Sequence, residues 1–262
     1  MTRIHPTAIV ETGAEFGEGV EIGPYCIVGP EVRLGDGVVL MSHVVVGGIT
    51  SIGANTRVYP FAALGLPPQD MKYKGERSEL VIGADCVIRE HCTMHPGTVT
   101  GRMRTEIGPN GLFMVNTHIA HDCIVGQHVI MANNATLGGH VQVGDFVMMG
   151  GLSAVHQFVR IGHHAMVGGM SGVEMDVIPY GSVMGDRARL SGLNIVGLKR
   201  RGFSREDIHA LRNAYRLLFA PEGTMAERLE DVATLFAGSK VVTDIVEFIR
   251  ADSSRPLCQP KS

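Results

Sequence analysis

The chain contains no tryptophan, and aromatic residues make up only 5% of its 262 residues, so large rings do not build its core. It has no run of 18 apolar residues, which predicts no stable membrane insertion. Its 23 basic and 26 acidic side chains give a net charge of −3, which argues against nucleic-acid binding through bulk positive charge. The 45% of hydrophobic residues and the 34 glycines instead favour a folded, repetitive core of small aliphatic side chains.

Cysteine is also scarce, with five residues, no CxxC pair and an odd total that fits poorly with a closed set of disulfides. The first residues, MTRIHPTAIVETG, lack the apolar run of a signal peptide. We therefore expect a cytoplasmic protein of a reducing compartment.

An aliphatic or other apolar residue recurs at every sixth position along most of the chain. The series from Ile4 to Leu64 has eleven apolar members, and it restarts at Ile82 and at Ile107, from where it continues to Val173. An amphipathic helix would repeat its apolar stripe every three to four residues. A period of six predicts a parallel β-helix, in which short strands alternate with corners and one aliphatic side chain per hexad points inward.

Three hexads make a coil of 18 residues, so we expect a triangular prism of about nine coils, stacked about 4.8 Å apart. Glycine follows many of the key aliphatic residues, which fits corners that need either positive φ or close backbone approach. Residues 18 apart are then expected to lie above one another. Residues 66–79 and 98–106 break the period and are expected to protrude as loops.

The period ends near Pro179, and helical spacing follows. Ser204, Thr224 and Ser239 are placed to cap three helices, and the residues after Arg250 resemble a frayed tail. The predicted organisation is a β-helix over residues 1–191 and a small α-helical C-terminal domain over residues 192–262.

Stacking at 18 residues brings polar groups together on one side of the prism. His121, Gly139 and Gln157 form one column, and His118, His140 and His156 lie close by. A histidine beside the carboxylate of Asp122 suits a general base, and Gly139 leaves room for a substrate and offers an N–H group to an oxyanion. Two alternatives remain: a zinc site that includes these histidines and Cys123, as in a zinc-dependent lyase, and a scaffold without chemistry.

A second column contains Gly151 and Gly169, with Gly150 and Gly168 beside them. These are corner glycines in a β-helix. A column without side chains on an outer face also forms a groove, and methionine and valine walls suit an alkyl chain.

Over essentially its full length, the chain resembles the family of UDP-N-acetylglucosamine O-acyltransferases that begin lipid A biosynthesis. The resemblance rests on the segments HPTAIVE (5–11), QDMKY (69–73), NTHIAHDCIVG (116–126), LGGH (137–140), AVHQF (154–158), MVGG (166–169) and GLKRRGFSRE (197–206). It implies a left-handed β-helix and a homotrimer with active sites between subunits. It also implies transfer of an R-3-hydroxyacyl chain from acyl carrier protein to the 3-hydroxyl of the sugar nucleotide, with no metal and no cofactor.

The resemblance also implies roles for single residues. His121 is the implied base, supported by Asp122, and the Gly139 N–H is the implied oxyanion donor. The implied substrate-binding residues are Asp70 and Lys72 for the sugar, His95, His118, His140, His156 and Gln157 in the cleft, Gly169 and Arg187 along the acyl groove, and Asn194, Arg200 and Arg201 for the uridine diphosphate.

Two positions depart from the family pattern. Arg187 stands where the family commonly has a groove histidine, and Val196 stands where it has an acidic uridine contact. The small Gly169 implies an acyl chain of about 12–14 carbons. A related family that acylates a 3-amino group on the sugar needs the same base and grooves, so the residues alone leave O- and N-acylation open.

Overall fold

Most hexads form a two-residue strand in which the first side chain faces out and the second, the key aliphatic, faces the prism interior. In the strand Ile130–Met131, for example, Met131 is fully buried and Ile130 is half-buried. The computed structural model describes residues 1–261, and the strands form a left-handed parallel β-helix with three faces, which we call A, B and C. The predicted fold is therefore confirmed.

The strands are numbered along the chain and grouped by face. Face A contains β1 (Arg3–Ile4), β4 (Glu21–Ile22), β7 (Val39–Leu40), β10 (Arg57–Val58), β13 (Val87–Ile88), β16 (Leu112–Phe113), β19 (Ile130–Met131), β22 (Met148–Met149), β25 (Met166–Val167), β27 (Gly181–Met184) and β28 (Arg189–Leu193). Face B contains β2 (Ile9–Val10), β5 (Ile27–Val28), β8 (Val45–Val46), β11 (Ala63–Leu64), β14 (Thr93–Met94), β17 (His118–Ile119), β20 (Thr136–Leu137), β23 (Ala154–Val155) and β26 (Gly172–Val173). Face C contains β3 (Glu15–Phe16), β6 (Arg33–Leu34), β9 (Ile49–Ile52), β12 (Glu79–Ile82), β15 (Arg104–Ile107), β18 (Ile124–Val125), β21 (Gln142–Val143) and β24 (Arg160–Ile161).

The register confirms the coil of 18 residues. Met148 pairs with Ile130 in the coil below and with Met166 in the coil above. The chain visits the faces in the order A, B, C, so three corners alternate with them. We call these corners AB, BC and CA. They are formed, for example, by residues 132–135, 138–141 and 144–147.

Of the two roles that the glycine pattern predicted, close backbone approach is confirmed, whereas positive φ falls mostly on other residues. Positive φ falls three residues after the key aliphatic, mostly on residues other than glycine, as at Asn134 (61°) and His140 (63°). The glycines that directly follow the key residue are needed for close approach instead. A Cβ on Gly23 would lie 2.9 Å from the carbonyl carbon of Met41 in the next coil.

Both insertions are shorter than predicted at their C-terminal ends. Glu79 begins β12, and residues 104–106 belong to β15, which pairs with β12 and β18. The six-residue period did not indicate these ends of the insertions. Strands β9, β12 and β15 have four residues, and each buries one side chain more than a two-residue strand does. These side chains are Thr50, Leu80 and Thr105.

Four helices follow: α1 (Ile195–Arg200), α2 (Arg205–Leu218), α3 (Met225–Leu235) and α4 (Lys240–Arg250). The predicted caps of α2 and α3 are confirmed, because Ser204 and Thr224 accept hydrogen bonds from the N–H groups of Asp207 and Glu227. Ser239 precedes α4 without a side-chain cap. Helix α1 was not predicted, since six residues are too few for an apolar stripe.

The β-helix and the C-terminal region are joined more closely than expected. Strand β28 crosses the predicted boundary between residues 191 and 192, so the two-domain division remains a prediction. The prediction of a frayed tail was wrong, because Cys258 is buried and the tail pairs with Asp176 and Leu190 of the β-helix. All five cysteines are buried and unpaired. Within residues 1–261, no helix has the length and apolarity required to cross a bilayer.

Candidate active site

Corner BC carries a cavity of about 360 Å³ beneath the first inserted loop. The cavity combines residues of this loop with residues from three successive coils. Its lining residues are Gln69, Asp70, Met71, Lys72, Thr100, His121, His140, Gln157 and Phe158. The structure therefore brings the predicted base together with Asp70 and Lys72, which lie about fifty residues earlier in the chain.

His121 and Asp122 form a hydrogen-bonded pair at the base of this cavity. The distance from His121 Nδ1 to Asp122 Oδ2 is 2.9 Å, and both residues are buried. An ionised carboxylate only accepts hydrogen bonds, so Nδ1 carries the proton that lies between the two groups. The lone pair on His121 Nε2 is then available to take a proton from a substrate.

The carboxylate of Asp122 is held in its ionised form by its hydrogen-bond donors. Burial alone would raise the pKa of Asp122, but donors from His121, Thr98 and the Arg102 backbone outweigh burial and lower the pKa to about 2. Thr98 donates through its hydroxyl (2.6 Å) and its N–H (3.0 Å), and the Arg102 N–H donates at 2.7 Å.

Thr98 and Arg102 belong to the second inserted loop, and sequence reasoning missed both of these donors. The loop wraps around the carboxylate so closely that a Cβ on Gly101 would lie 2.3 Å from Asp122 Cγ. The only signal in the sequence was the glycine within TVTGRMRTE. Nothing in the six-residue period indicated that this loop folds back over Asp122.

Gly139 lies directly above His121, as the column predicted. A Cβ on Gly139 would lie 2.5 Å from His121 Cε1 and 2.6 Å from Nε2. Within residues 1–261 the Gly139 N–H has no hydrogen-bond acceptor, whereas the neighbouring N–H groups of Gly138 and His140 are both bonded. This N–H is therefore free to stabilise negative charge that develops beside His121.

His140 completes the wall of the cavity. Its ring stacks on Phe158 (4.4 Å between centroids) and meets the His121 ring edge-on (5.0 Å). Burial lowers the pKa of His140, and the charge on Asp122 opposes this only in part. The lowered pKa favours the neutral ring of His140, which packs against the ring of His121.

His118 and His95 lie below His121 on the same side of the prism. His118 Nδ1 is 2.8 Å from Thr93 Oγ1, and burial together with His95 lowers the pKa of His118 to about 4. His95 Nδ1 is 3.0 Å from the Leu66 carbonyl oxygen, and its buried Nε2 has no partner among residues 1–261. His118 is therefore neutral at pH 7, and both rings offer hydrogen-bonding nitrogens to a polar ligand.

The first inserted loop is held by its own hydrogen bonds. Asp70 Oδ1 accepts from the Lys72 N–H at 3.0 Å, which places both side chains beside the cavity. Gln157 lines the cavity one coil above Gly139, and the exposed His156 adjoins it.

The remaining predicted residues lie at other corners of the same chain. At corner AB, a Cβ on Gly169 would lie 3.3 Å from the Gly151 carbonyl oxygen, so these glycines stack as predicted. Arg187, in the turn between β27 and β28, lies above face B and contacts Glu174 at 3.3 Å.

The predicted uridine diphosphate residues lie at corner CA. Asn194 caps α1, and its Nδ2 donates to the His164 carbonyl at 2.9 Å. Arg201 donates to the Phe146 carbonyl at 2.7 Å, and burial lowers the pKa of its guanidinium. Arg200 ends α1 and is exposed. Within one chain, face C of the prism therefore lies between these residues and His121.

The zinc alternative fits the donor set poorly. Among residues 1–261, one group has metal-ligand spacing: His121, Asp122 and His140, with ligand atoms within 4.8 Å. Both oxygens of Asp122 already accept hydrogen bonds from the loop. Cys123, which the zinc hypothesis included, points into the prism and donates to the Gly138 carbonyl, and burial raises its pKa to about 12.

Comparisons with known proteins identify the family of the chain. A family described as bacterial transferase hexapeptide repeats matches residues 13–48, and one described as domain 2 of UDP-N-acetylglucosamine O-acyltransferase matches residues 176–258. The β-helix of hexapeptide repeats and these two matches define the chain as a hexapeptide-repeat acyltransferase.

The acyl-[acyl-carrier-protein]–UDP-N-acetylglucosamine O-acyltransferase of Caulobacter vibrioides is 60% identical to this chain, with 98% of each covered. The enzyme of the same name from Azorhizobium caulinodans is 57% identical over 98% of this chain and 95% of its own length. The crystal structure of UDP-N-acetylglucosamine O-acyltransferase from Moraxella catarrhalis superposes with a TM-score of 0.94 at 43% identity, covering 98% of this chain and 99% of that one. The chain belongs to the family of acyl-[acyl-carrier-protein]–UDP-N-acetylglucosamine O-acyltransferases.

Proposed function

We propose that this protein transfers an R-3-hydroxyacyl chain from acyl carrier protein to the 3-hydroxyl of UDP-N-acetylglucosamine, the first step of lipid A biosynthesis, with His121 as general base. The observation that carries the mechanism is the geometry of His121: its Nδ1 is bonded to Asp122, and its Nε2 faces a cavity beneath the unbonded Gly139 N–H.

The reaction follows from these positions. His121 Nε2 takes the proton of the sugar hydroxyl while that oxygen attacks the thioester carbonyl carbon. The carbonyl oxygen becomes negative and is stabilised by the Gly139 N–H. When the intermediate collapses, the C–S bond breaks and the thiol of the carrier protein leaves with the proton from His121. Asp122 stabilises the imidazolium while the intermediate exists, and it holds the neutral ring of His121 in the tautomer with the proton on Nδ1.

The cavity also has groups suited to the acceptor. Lys72 and Asp70 lie at its rim and offer a cation and a carboxylate to sugar hydroxyls. His140 and Gln157 line the same cavity, and the rings of His95 and His118 add hydrogen-bonding groups below it.

The separation of the site residues between corners supports a homotrimer with sites between subunits. Corners AB and CA both border face A, so a second copy whose face A meets corner BC would bring Gly169 to one side of His121, and Asn194 with Arg201 to the other. The outward side chains of the middle of face A are apolar, as an acyl groove requires. They are Val87, Leu112, Ile130, Met148 and Met166.

Two further proposals concern the donor. Gly169 is exposed at corner AB, which supports a groove long enough for an acyl chain of about 12–14 carbons, by resemblance to the family. The exposed Lys199 and Arg200 at the end of α1 are suited to an acidic carrier protein.

The test is a product assay. The protein is incubated with hydroxyacyl carrier proteins of several chain lengths and either UDP-N-acetylglucosamine or its 3-amino analogue, and the products are weighed by mass spectrometry. We expect an ester of the first acceptor. An amide from the 3-amino sugar as the preferred product would contradict the proposal.

The role of the base is tested by His121→Ala, with the exposed His209→Ala on α2 as the matched control. Removal of the base should lower kcat by about 10²–10⁴-fold, whereas the control should retain wild-type activity. Full activity of His121→Ala would refute the mechanism.

A further inference from the structure

The C-terminal segment after α4, residues 251–261, returns from the helices to the β-helix and passes corner BC on its way to Leu190. Leu257 forms a parallel bridge with Asp176, and Pro260 forms one with Leu190. Cys258 between them is 1% exposed, and its thiol donates to the Ala188 carbonyl. The segment is thus docked at its far end by backbone pairing and a buried side chain.

A buried carboxylate fixes the near end of this segment. Asp176, which is 1% exposed, accepts from the Ser253 hydroxyl at 2.6 Å. It also accepts from Arg160, through the backbone N–H at 2.8 Å and through Nε at 2.7 Å. Arg160 in turn donates to the carbonyl of Phe248 in α4. Asp176 therefore ties the segment to face C.

Arg255 extends from this anchored segment to corner BC. Its Nε donates to the Gln157 carbonyl at 2.9 Å, and its Nη2 lies 2.6 Å from His156 Nδ1. A guanidinium only donates, so His156 Nδ1 must be the acceptor and the ring proton is carried on Nε2. The two bonds fix both the backbone of residues 156 and 157 and the tautomer of His156.

Gln157 lines the same cavity as His121, Asp70 and Lys72. Any shift of the backbone at residues 156 and 157 moves the Gln157 side chain relative to the two loop residues that face it. We propose that Arg255 is a positioning residue for the sugar-nucleotide subsite, acting through His156 and Gln157. This inference rests on the proposed function, because it assigns that cavity to UDP-N-acetylglucosamine.

The experiment measures steady-state kinetics of the full-length Arg255→Ala and Arg255→Lys variants with hydroxyacyl carrier protein and UDP-N-acetylglucosamine. The matched control is Arg250→Ala. Arg250 is an exposed residue at the end of α4, and it pairs with Glu230 of α3. The melting temperature of each variant is measured alongside, so that loss of folding is seen separately from loss of binding.

We expect Arg255→Ala to raise KM for UDP-N-acetylglucosamine about tenfold, as for the loss of one charge-assisted hydrogen bond, with kcat changed less than about twofold. Arg255→Lys should recover part of this effect, because an ammonium keeps the charge but not the two-bond fork. Arg250→Ala should match the wild type.

Three results would overturn the inference: an unchanged KM in Arg255→Ala, full recovery in Arg255→Lys, or a fall in kcat that follows the melting temperature. The proposed function fails in a different way, because the wild-type protein would then form no ester or His121→Ala would remain active.

Discussion

Asp122→Asn tests two roles that we propose for this carboxylate, support of the base His121 and stabilisation of the fold. The substitution keeps the shape of the side chain but replaces an acceptor-only group by one that also donates. The amide nitrogen would face either His121 Nδ1 or the donors of Thr98 and Arg102. We expect kcat to fall about 10²–10⁴-fold, because His121 loses the partner that keeps its tautomer.

The cost in stability follows from the pKa of Asp122. Folding lowers this pKa from 3.8 to about 2, and each pKa unit corresponds to about 1.36 kcal/mol, so ionisation stabilises the fold by about 2 kcal/mol at pH 7. The asparagine variant should lose a comparable amount, since buried donors are left facing an amide. Urea unfolding at pH 7 measures this difference.

The assay that tests the reasoning is a double-mutant cycle. If Asp122 acts through His121, Asp122→Asn should have little further effect on kcat in the His121→Ala background, within about threefold. Equal losses of kcat in both backgrounds would show that Asp122 acts independently of the base, and the proposed pair would be refuted.

The remaining predictions concern pH, space and metal. The Asp122 contribution is present above its unfolded pKa of 3.8 and is lost as pH falls towards 2, so acid unfolding of the wild type should be steeper than that of Asp122→Asn in this window; parallel curves by circular dichroism would contradict this. Gly139→Ala places a methyl group within 2.6 Å of His121 Nε2 and should lower kcat at least about tenfold, whereas Gly238→Ala, in open space, should not; equal activities would show that the ring moves aside freely. Gly169→Met should shift donor preference to shorter chains in a competition assay, and an unchanged preference would place the groove elsewhere. Incubation with a chelator should leave kcat unchanged, and a loss restored by zinc would support the metal alternative.

The fold was predictable because the β-helix repeats one local rule. A buried aliphatic residue such as Met131 or Met149 in every hexad determines the strands, the inward faces and the coil of 18 residues without any long-range information. The stacking of His121 under Gly139 followed from that arithmetic, and so did the stacking of Gly151 under Gly169. Caps at Ser204 and Thr224 were equally local.

Prediction was weaker wherever the repeat is interrupted, because an insertion has no register of its own. The loop that donates to Asp122 through Thr98 and Arg102 contacts a residue 20 to 24 positions later in the chain. Its contacts depend on the coil above, so its sequence alone could not indicate them. Helix α1 was missed for a related reason, since its Asn194 cap bonds to the backbone of His164 thirty residues away.

The sequence by itself determined the prism and the column of groups at corner BC, because each depends on a spacing that the chain repeats. Only the tertiary structure decided which atom of the His121–Asp122 pair carries the proton, the return of Arg255 to corner BC, and the separation of Gly169 and Asn194 from His121. These features depend on contacts between groups that are far apart in the chain. Packing determines those contacts, and the six-residue period does not indicate them.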